Sequence, residues 1–289
     1  MNSMWLVHGV ALFFIVTLPR PGAGREVTGR PVALPDRRVA PSSRDSGKLS
    51  FPSFGGVFGL PMCRSDGVCH ENATSSSPRT RYSAKDKEAY HAWRSTHKAN
   101  VAAADAFNTV LTGRDPALVR DRPLVFLGDS IVETLAGNQY GQPVFRAKGC
   151  PETLAAFCDS HAFAPLVLGI AGDQAQHVLW RMDHGEVPLG RLREHPGVTF
   201  VVMVGTNNLG AGHLPVDAAR GAFAVADWLL NNVKGTVVLV KLLPRGDGKD
   251  KLPRLCPPRC GPNGKPFRSF LPAVVAANIE LGRLVGARR

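Results

Sequence analysis

The 289-residue chain lacks any apolar stretch of the length, about 20 residues, that a membrane-spanning helix needs. The run WLVHGVALFFIVTL at residues 5–18 stops short of it, and Pro19 and Pro21 follow at once. A multi-span membrane protein is therefore excluded. Aromatic residues are few, at 7%, and the basic stretches carry none among them but Phe267. Zinc-finger spacing and RNP-like motifs are also absent. Nucleic-acid binding is thus not expected, although Lys plus Arg exceed Asp plus Glu by 35 to 23, a net charge of +12. The excess sits in a Pro/Ser/Gly-rich stretch at residues 20–48 and a Pro-rich stretch at 241–268. Charged residues make up only 20% and hydrophobic residues 44%, which excludes a wholly disordered chain. The length allows one sizeable domain with tails, or at most two small ones. Gly at 30 and Pro at 23 point to long irregular stretches beside the folded core.

The apolar run suits the h-region of a secretory signal peptide, residues 1–24, with cleavage after Gly24. The first four residues carry no Lys or Arg, and an uncleaved signal anchor is the alternative. Six cysteines agree with an oxidising compartment, and they fall into local pairs: Cys63 with Cys69, Cys150 with Cys158, and Cys256 with Cys260. Asn72-Ala73-Thr74 is an acceptor sequence for N-glycosylation, which agrees with a secreted or lumenal protein. Residues 25–82 show neither a 3.6- nor a 2-residue period. They read as a largely disordered linker with a small stapled loop at the first cysteine pair.

Order is expected over residues 83–289. Ser83 and Asp86 have capping-box spacing, and Tyr90, Trp93, His97, Val101, Ala104, Phe107 and Leu111 recur at helical intervals up to Gly113. Four short, largely β-branched runs follow at 124–127, 166–170, 198–204 and 236–242. Helical stretches lie between and after them, at 130–135, 174–182, 216–233 and 267–285. Apolar strands that alternate with helices predict a parallel sheet covered on both faces. The fold class is α/β, a doubly wound three-layer α/β/α sandwich, in which chemistry gathers at the carboxyl ends of the strands.

Three such ends carry chemistry-bearing residues. The first reads Gly128-Asp129-Ser130 before a helix, and a serine on a strand-to-helix turn can be exposed for attack. Ser130 with Glu133 also fits a capping box, which would make the serine a helix cap. The second reads Gly172-Asp173, where glycine lets backbone N–H groups approach a ligand. The third reads Gly205-Thr206-Asn207-Asn208, where an Asn amide can donate to a developing oxyanion. Taken singly, each has a bland reading as a turn or cap residue. Three at consecutive strand ends predict one site.

These blocks resemble the first three blocks of the SGNH (GDSL-type) hydrolases. The longer run from Gly172-Asp173 through His177-Val178-Leu179-Trp180-Arg181, with Leu242-Leu243-Pro244-Arg245-Gly246 beyond, resembles the catalytic subunits of the intracellular platelet-activating-factor acetylhydrolases. The resemblance covers about residues 122–285. It implies a flavodoxin-like sheet and hydrolysis of an acyl ester, with acetyl the expected group, through an acyl-enzyme on Ser130. The N–H groups of Ser130 and Gly172 and the side chain of Asn207 would form the oxyanion hole, with no metal or organic cofactor. A small-molecule or polysaccharide ester is the implied substrate, and the oligomeric state stays open. The family's acid and base come from a late Asp-x-x-His block, and no Asp-x-x-His occurs in this sequence. Neither His184 nor His213 matches that block. The chain is therefore expected to be a domain without its last strand and helix, nearly inactive as written, with the 236–242 strand left open along one edge. A non-catalytic binding protein of the same fold is the alternative, and a basic surface-binding protein a third.

Overall fold

The structure is a computed structural model that describes residues 15–18, 63–64, 66–80, 87–112, 122–246 and 248–288. In chain order its elements are β1 (Ile15–Leu18), α1 (Lys87–Thr112), β2 (Arg122–Gly128), α2 (Ser130–Glu133), β3 (Asn138–Gln139), β4 (Gln142–Pro143), α3 (Cys150–His161) and β5 (Phe163–Gly169). There follow α4 (Ala175–Arg181), α5 (Arg191–Glu194), β6 (Thr199–Met203), α6 (Thr206–Ala211), α7 (Pro215–Asn232), β7 (Thr236–Val240), α8 (Gly248–Leu255) and α9 (Leu271–Ala287). The main sheet has the order β1-β7-β6-β2-β5, with β7, β6, β2 and β5 parallel to one another. The four expected strands are all present, within a few residues of their expected ends.

The strands are apolar on both faces because both faces are covered. Val125, Leu127, Leu166, Leu168, Phe200, Val202, Val237 and Leu239 enter the larger core, beneath α1, α4, α7 and α9. Residues one step out of phase, Phe126, Val167, Val201 and Val240, meet Ile131 and Val132 of α2 on the opposite face. This is the two-residue alternation of a strand, written in hydrophobic residues on both sides. Helix α1 buries Trp93, Ala104 and Leu111 on one side. Its expected cap at Ser83 and Asp86 lies outside the described residues.

Two expectations are corrected. The 236–242 strand does not have an open edge: β1 pairs with β7 antiparallel, Ile15 opposite Val240 and Leu18 opposite Val237. Those four residues come from the run expected to be a signal peptide. An apolar, β-branched run of 14 residues can serve as either, and pairing with a distant strand leaves no local mark in sequence.

The second correction concerns Cys150 and Cys158. Cys63–Cys69 and Cys256–Cys260 are disulfides, but Cys150 and Cys158 are free thiols. Both lie on α3, eight residues apart, which is about 12 Å of helix rise, beyond the ~7 Å limit between bridged Cα atoms. Helix α3 itself was missed in sequence, although Pro151 and Glu152 in its first turn are start signals. Alkylation of the native protein should therefore modify half-exposed Cys150 readily and Cys158 only after unfolding. Peptide mapping without reductant should find two bridges; a Cys150–Cys158 bridge would contradict this assignment.

Part of the expected linker is packed. Ala73 is buried against Gly221 of α7, and Arg79 is buried against the loop after β5. Residues 63–64 and 66–80 form turns and irregular backbone, yet hold to the domain through these contacts.

Candidate active site

The register of the sheet brings the three strand-end blocks side by side. Gly128 at the end of β2 stands opposite Gly169 of β5 and Met203 of β6. Neighbouring strands are about 4.8 Å apart, so the loops that follow share one rim. Both glycines are required by close approach. A Cβ on Gly128 would fall 2.1 Å from the Met203 carbonyl oxygen, and one on Gly169 would fall 2.2 Å from the Glu133 nitrogen. Helix α2 thus crosses directly over the strand ends.

Ser130 is the first residue of α2 and is not its cap. Asp129 holds that position, and its Oδ1 accepts the Ile131 N–H at 2.9 Å. The Glu133 carboxylate does not turn back to close a capping box. It accepts N–H bonds from Ala171 at 2.7 Å and Gly141 at 2.8 Å. The Ser130 side chain is half-buried and makes no hydrogen bond with the described residues. Glu133 and Arg79 grip the peptide groups on either side of Ala171: Arg79 Nη1 donates to its carbonyl at 3.2 Å. The next residue, Gly172, has φ +81°, a conformation that favours glycine.

Asn207 enters from the first turn of α6. Its Nδ2 donates to the Asp173 carbonyl at 2.9 Å, which ties the third loop to the second. An amide nitrogen carries two N–H groups, so this bond fixes the plane and leaves one donor for a ligand. Asn208 is structural: its Oδ1 accepts the Ala175 N–H at 2.9 Å, and its Nδ2 reaches Gln176 at 3.0 Å.

Beneath the rim lies a buried ionic network. Arg181 donates to the Gly128 carbonyl at 2.8 Å, pairs with Asp173 at 2.7 Å and bonds to Glu186. Trp93 Nε1 donates to Asp173 at 2.7 Å. Asn100 Nδ2 reaches Glu186 at 3.1 Å, and His97 Nδ1 lies 3.3 Å from it. Arg181 holds Glu186 below the usual carboxylate range against the cost of burial. Burial dominates at Asp173 and Glu133, whose carboxyls are held above it.

Asp129 is pushed up to about 7, by burial first and then by the nearby Asp173 charge, against the lowering effect of the Ile131 N–H. Its Oδ2 is buried without a hydrogen-bond partner among the described residues. The unfolded chain releases this proton near the ordinary value of 3.8, and the folded chain keeps it to about 7. Asp129 therefore makes stability fall as pH rises from about 4 to about 7, by roughly 4 kcal/mol. Asp129→Asn keeps the cap acceptor without the charge. It should flatten that slope and raise the urea midpoint at pH 8; an unchanged pH profile would contradict the assignment.

Ser130, Gly172 and Asn207, the three residues singled out in sequence, therefore stand on three adjacent strand-end loops. Other candidates do not join them. His184 is exposed, stacked on Trp180 at 3.9 Å, with Nδ1 against the Trp180 carbonyl at 2.7 Å. His213 is buried just past the opposite end of α6 from Asn207, and burial pushes its ring below the usual range. Neither makes a hydrogen bond to Ser130. Among the described residues, one group of three metal-ligating side chains stands together, Cys63, Cys69 and His213, and it too lies beyond that end of α6. A groove of about 440 Å³ lined by Trp93, His97, Val101 and Trp180 lies between α1 and α4, away from Ser130. Sequence reading missed Glu133, Asp173, Arg181 and Arg79 as supports of the site. Asp173 and Arg181 stood in the quoted blocks, but their partners are distant in sequence, and nothing local marks Arg79, in a Ser/Pro/Thr-rich stretch, as a buried group.

No family model matches the chain. It is 34% identical over 136 residues to platelet-activating factor acetylhydrolase IB subunit alpha1 of Bos taurus, 46% of this chain and 48% of that protein. The human alpha1 subunit gives the same figures. Subunit alpha2 of Rattus norvegicus is 31% identical over 135 residues, 46% of this chain and 49% of that protein. The chain spans about half the length of the curated relatives it matches.

Proposed function

We propose that this chain carries the nucleophile and oxyanion half of an SGNH-type serine esterase that acts on an acyl ester, with acetyl the expected group. One observation carries the reading: Ser130, whose hydroxyl makes no hydrogen bond with the described residues while Asp129 does the capping, shares a rim with Gly172 and Asn207. Ser130 Oγ attacks the ester carbonyl. The oxygen that gains charge receives the N–H groups of Ser130 and Gly172 and the second N–H of Asn207, and the alcohol leaves an acyl-enzyme that water then cleaves. The names of the relatives, which are acetylhydrolases, support this chemistry. The substrate would be a small-molecule ester or an ester on a polysaccharide.

Among the described residues no histidine hydrogen-bonds to Ser130, and a ligand-binding protein of the same fold is the alternative reading. The two are separated by appending a family-type Asp-x-x-His block. An esterase half then gains turnover of p-nitrophenyl acetate. In that extended protein Asn207→Ala should lower kcat by about 10²–10³ with KM little changed, as for loss of one oxyanion donor. An equal loss in kcat and gain in KM would assign Asn207 to substrate binding instead.

We also propose passage through the secretory pathway, supported by two disulfides and by exposed Asn72 in its acceptor sequence. Residues 15–18 cannot both leave with a signal peptide and remain as β1. Amino-terminal sequencing of the mature protein decides between these fates.

A further inference from the structure

We propose that Cys63, Cys69 and His213 form a zinc site that opens when the Cys63–Cys69 disulfide is reduced, so that disulfide and metal exclude each other. One ligand atom from each of the three lies within 4.8 Å of the other two. Both cysteines are half-buried and so accessible to a reductant and to a metal ion, while His213 is buried behind them. Two thiolates and an imidazole are a soft N/S donor set, suited to zinc rather than to magnesium or calcium.

The pocket does not depend on the S–S bond for its shape. Within the loop, Arg64 N–H donates to the Val68 carbonyl at 2.8 Å and Gly67 N–H to the Arg64 carbonyl at 2.9 Å. Asp66 Oδ1 accepts the Val68 N–H at 3.0 Å. The loop is fixed to the rest of the domain by Cys63 N–H, which donates to the Ala211 carbonyl at 2.8 Å, two residues before His213. A Cβ on Gly212 would meet Cys63 Cβ at 3.3 Å and Sγ at 3.6 Å, so the two segments are already in contact. These bonds hold Cys63 beside the His213 segment and hold Val68, the neighbour of Cys69, to Arg64, and none of them needs the S–S bond. The His213 ring itself makes no hydrogen bond with the described residues. The Arg259 guanidinium is near, 3.6 Å from where a Cβ on Gly67 would stand. Two thiolates offset the charge of the dication beside it. Water takes the fourth position.

The chemistry balances with a small thiol as reductant. Two thiols give their hydrogens to the Cys63 and Cys69 sulfurs and leave as one disulfide. Zinc then displaces two protons from the protein thiols and forms two Zn–S bonds.

The test uses the full chain, reduced and freed of reductant without air, then titrated with zinc or with cobalt as a coloured probe. The reduced protein should retain one metal per chain and show a thiolate-to-cobalt charge-transfer band; the oxidised protein should show neither. Cys69→Ser should remove the band, and His213→Ala or His213→Gln should weaken zinc binding at least about tenfold. A Cys256→Ser/Cys260→Ser double variant should keep the site. Zinc should also shield Cys63 and Cys69 from alkylation in the unmutated protein, a readout that no misfolded variant can confuse. No metal retained by the reduced protein, no shielding, or a site lost in the Cys256/Cys260 variant but kept in Cys69→Ser would overturn the proposal.

Discussion

Ser130→Ala is expected to abolish p-nitrophenyl acetate turnover in the chain extended by an Asp-x-x-His block, a loss on the order of 10⁶ in kcat. Loss of the nucleophile removes the covalent route altogether, while the oxyanion donors and the binding surface remain. About 10³–10⁴ over the water reaction should therefore survive. The fold should not suffer, because the Ser130 side chain neither caps α2 nor bonds to a described neighbour, and Asp129 does the capping. A helix-capping serine would give the opposite pattern, with lost stability and little lost rate. Parallel melts and rates on the same samples distinguish the two.

Arg181→Met should be the most damaging single change to stability. Arg181 is fully buried and satisfies Asp173, Glu186 and the Gly128 carbonyl together. A methionine fills similar volume but strands two buried carboxylates. Breaking one buried pair typically costs about 3–5 kcal/mol, a large part of the roughly 5–15 kcal/mol that holds a domain together. The urea midpoint at neutral pH should fall accordingly, and most of the deficit should vanish near pH 4, where stranded carboxylates are protonated. A small effect at neutral pH would mean that water reaches Asp173 and Glu186. The same change should disturb Ser130 indirectly, because Arg181 holds the carbonyl of Gly128 two residues before it.

Much of this arrangement was legible in the sequence. The four parallel strands announced themselves through runs such as Val198 to Val204, apolar at every position but Thr199 because both faces are covered. That Ser130, Gly172 and Asn207 would stand on neighbouring loops was legible because strand-end loops in this architecture face one rim. What escaped was non-local. Nothing near Arg181 says that its guanidinium will sit between Asp173 and Glu186, or that Glu133 will hold Ala171 rather than cap its own helix. Strand β1 escaped for the same reason: its four residues end a 14-residue apolar run whose other use is export, and pairing with β7 defines it as a strand. Cys150 and Cys158 misled through spacing, since closeness in sequence becomes about 12 Å along a helix. The cysteine pairs that did bridge lie in a turn and a proline-rich loop, where the chain doubles back.

The central claim is that Ser130 is a nucleophile served by the donors around it. Covalent labelling tests it most directly. The extended protein is treated with a fluorophosphonate ester, digested and mapped by mass spectrometry. The account predicts one phosphonyl adduct, on the peptide that contains Ser130, slowed by Asn207→Ala and absent from Ser130→Ala. An adduct on another residue, or undiminished labelling and turnover in Ser130→Ala, would contradict it.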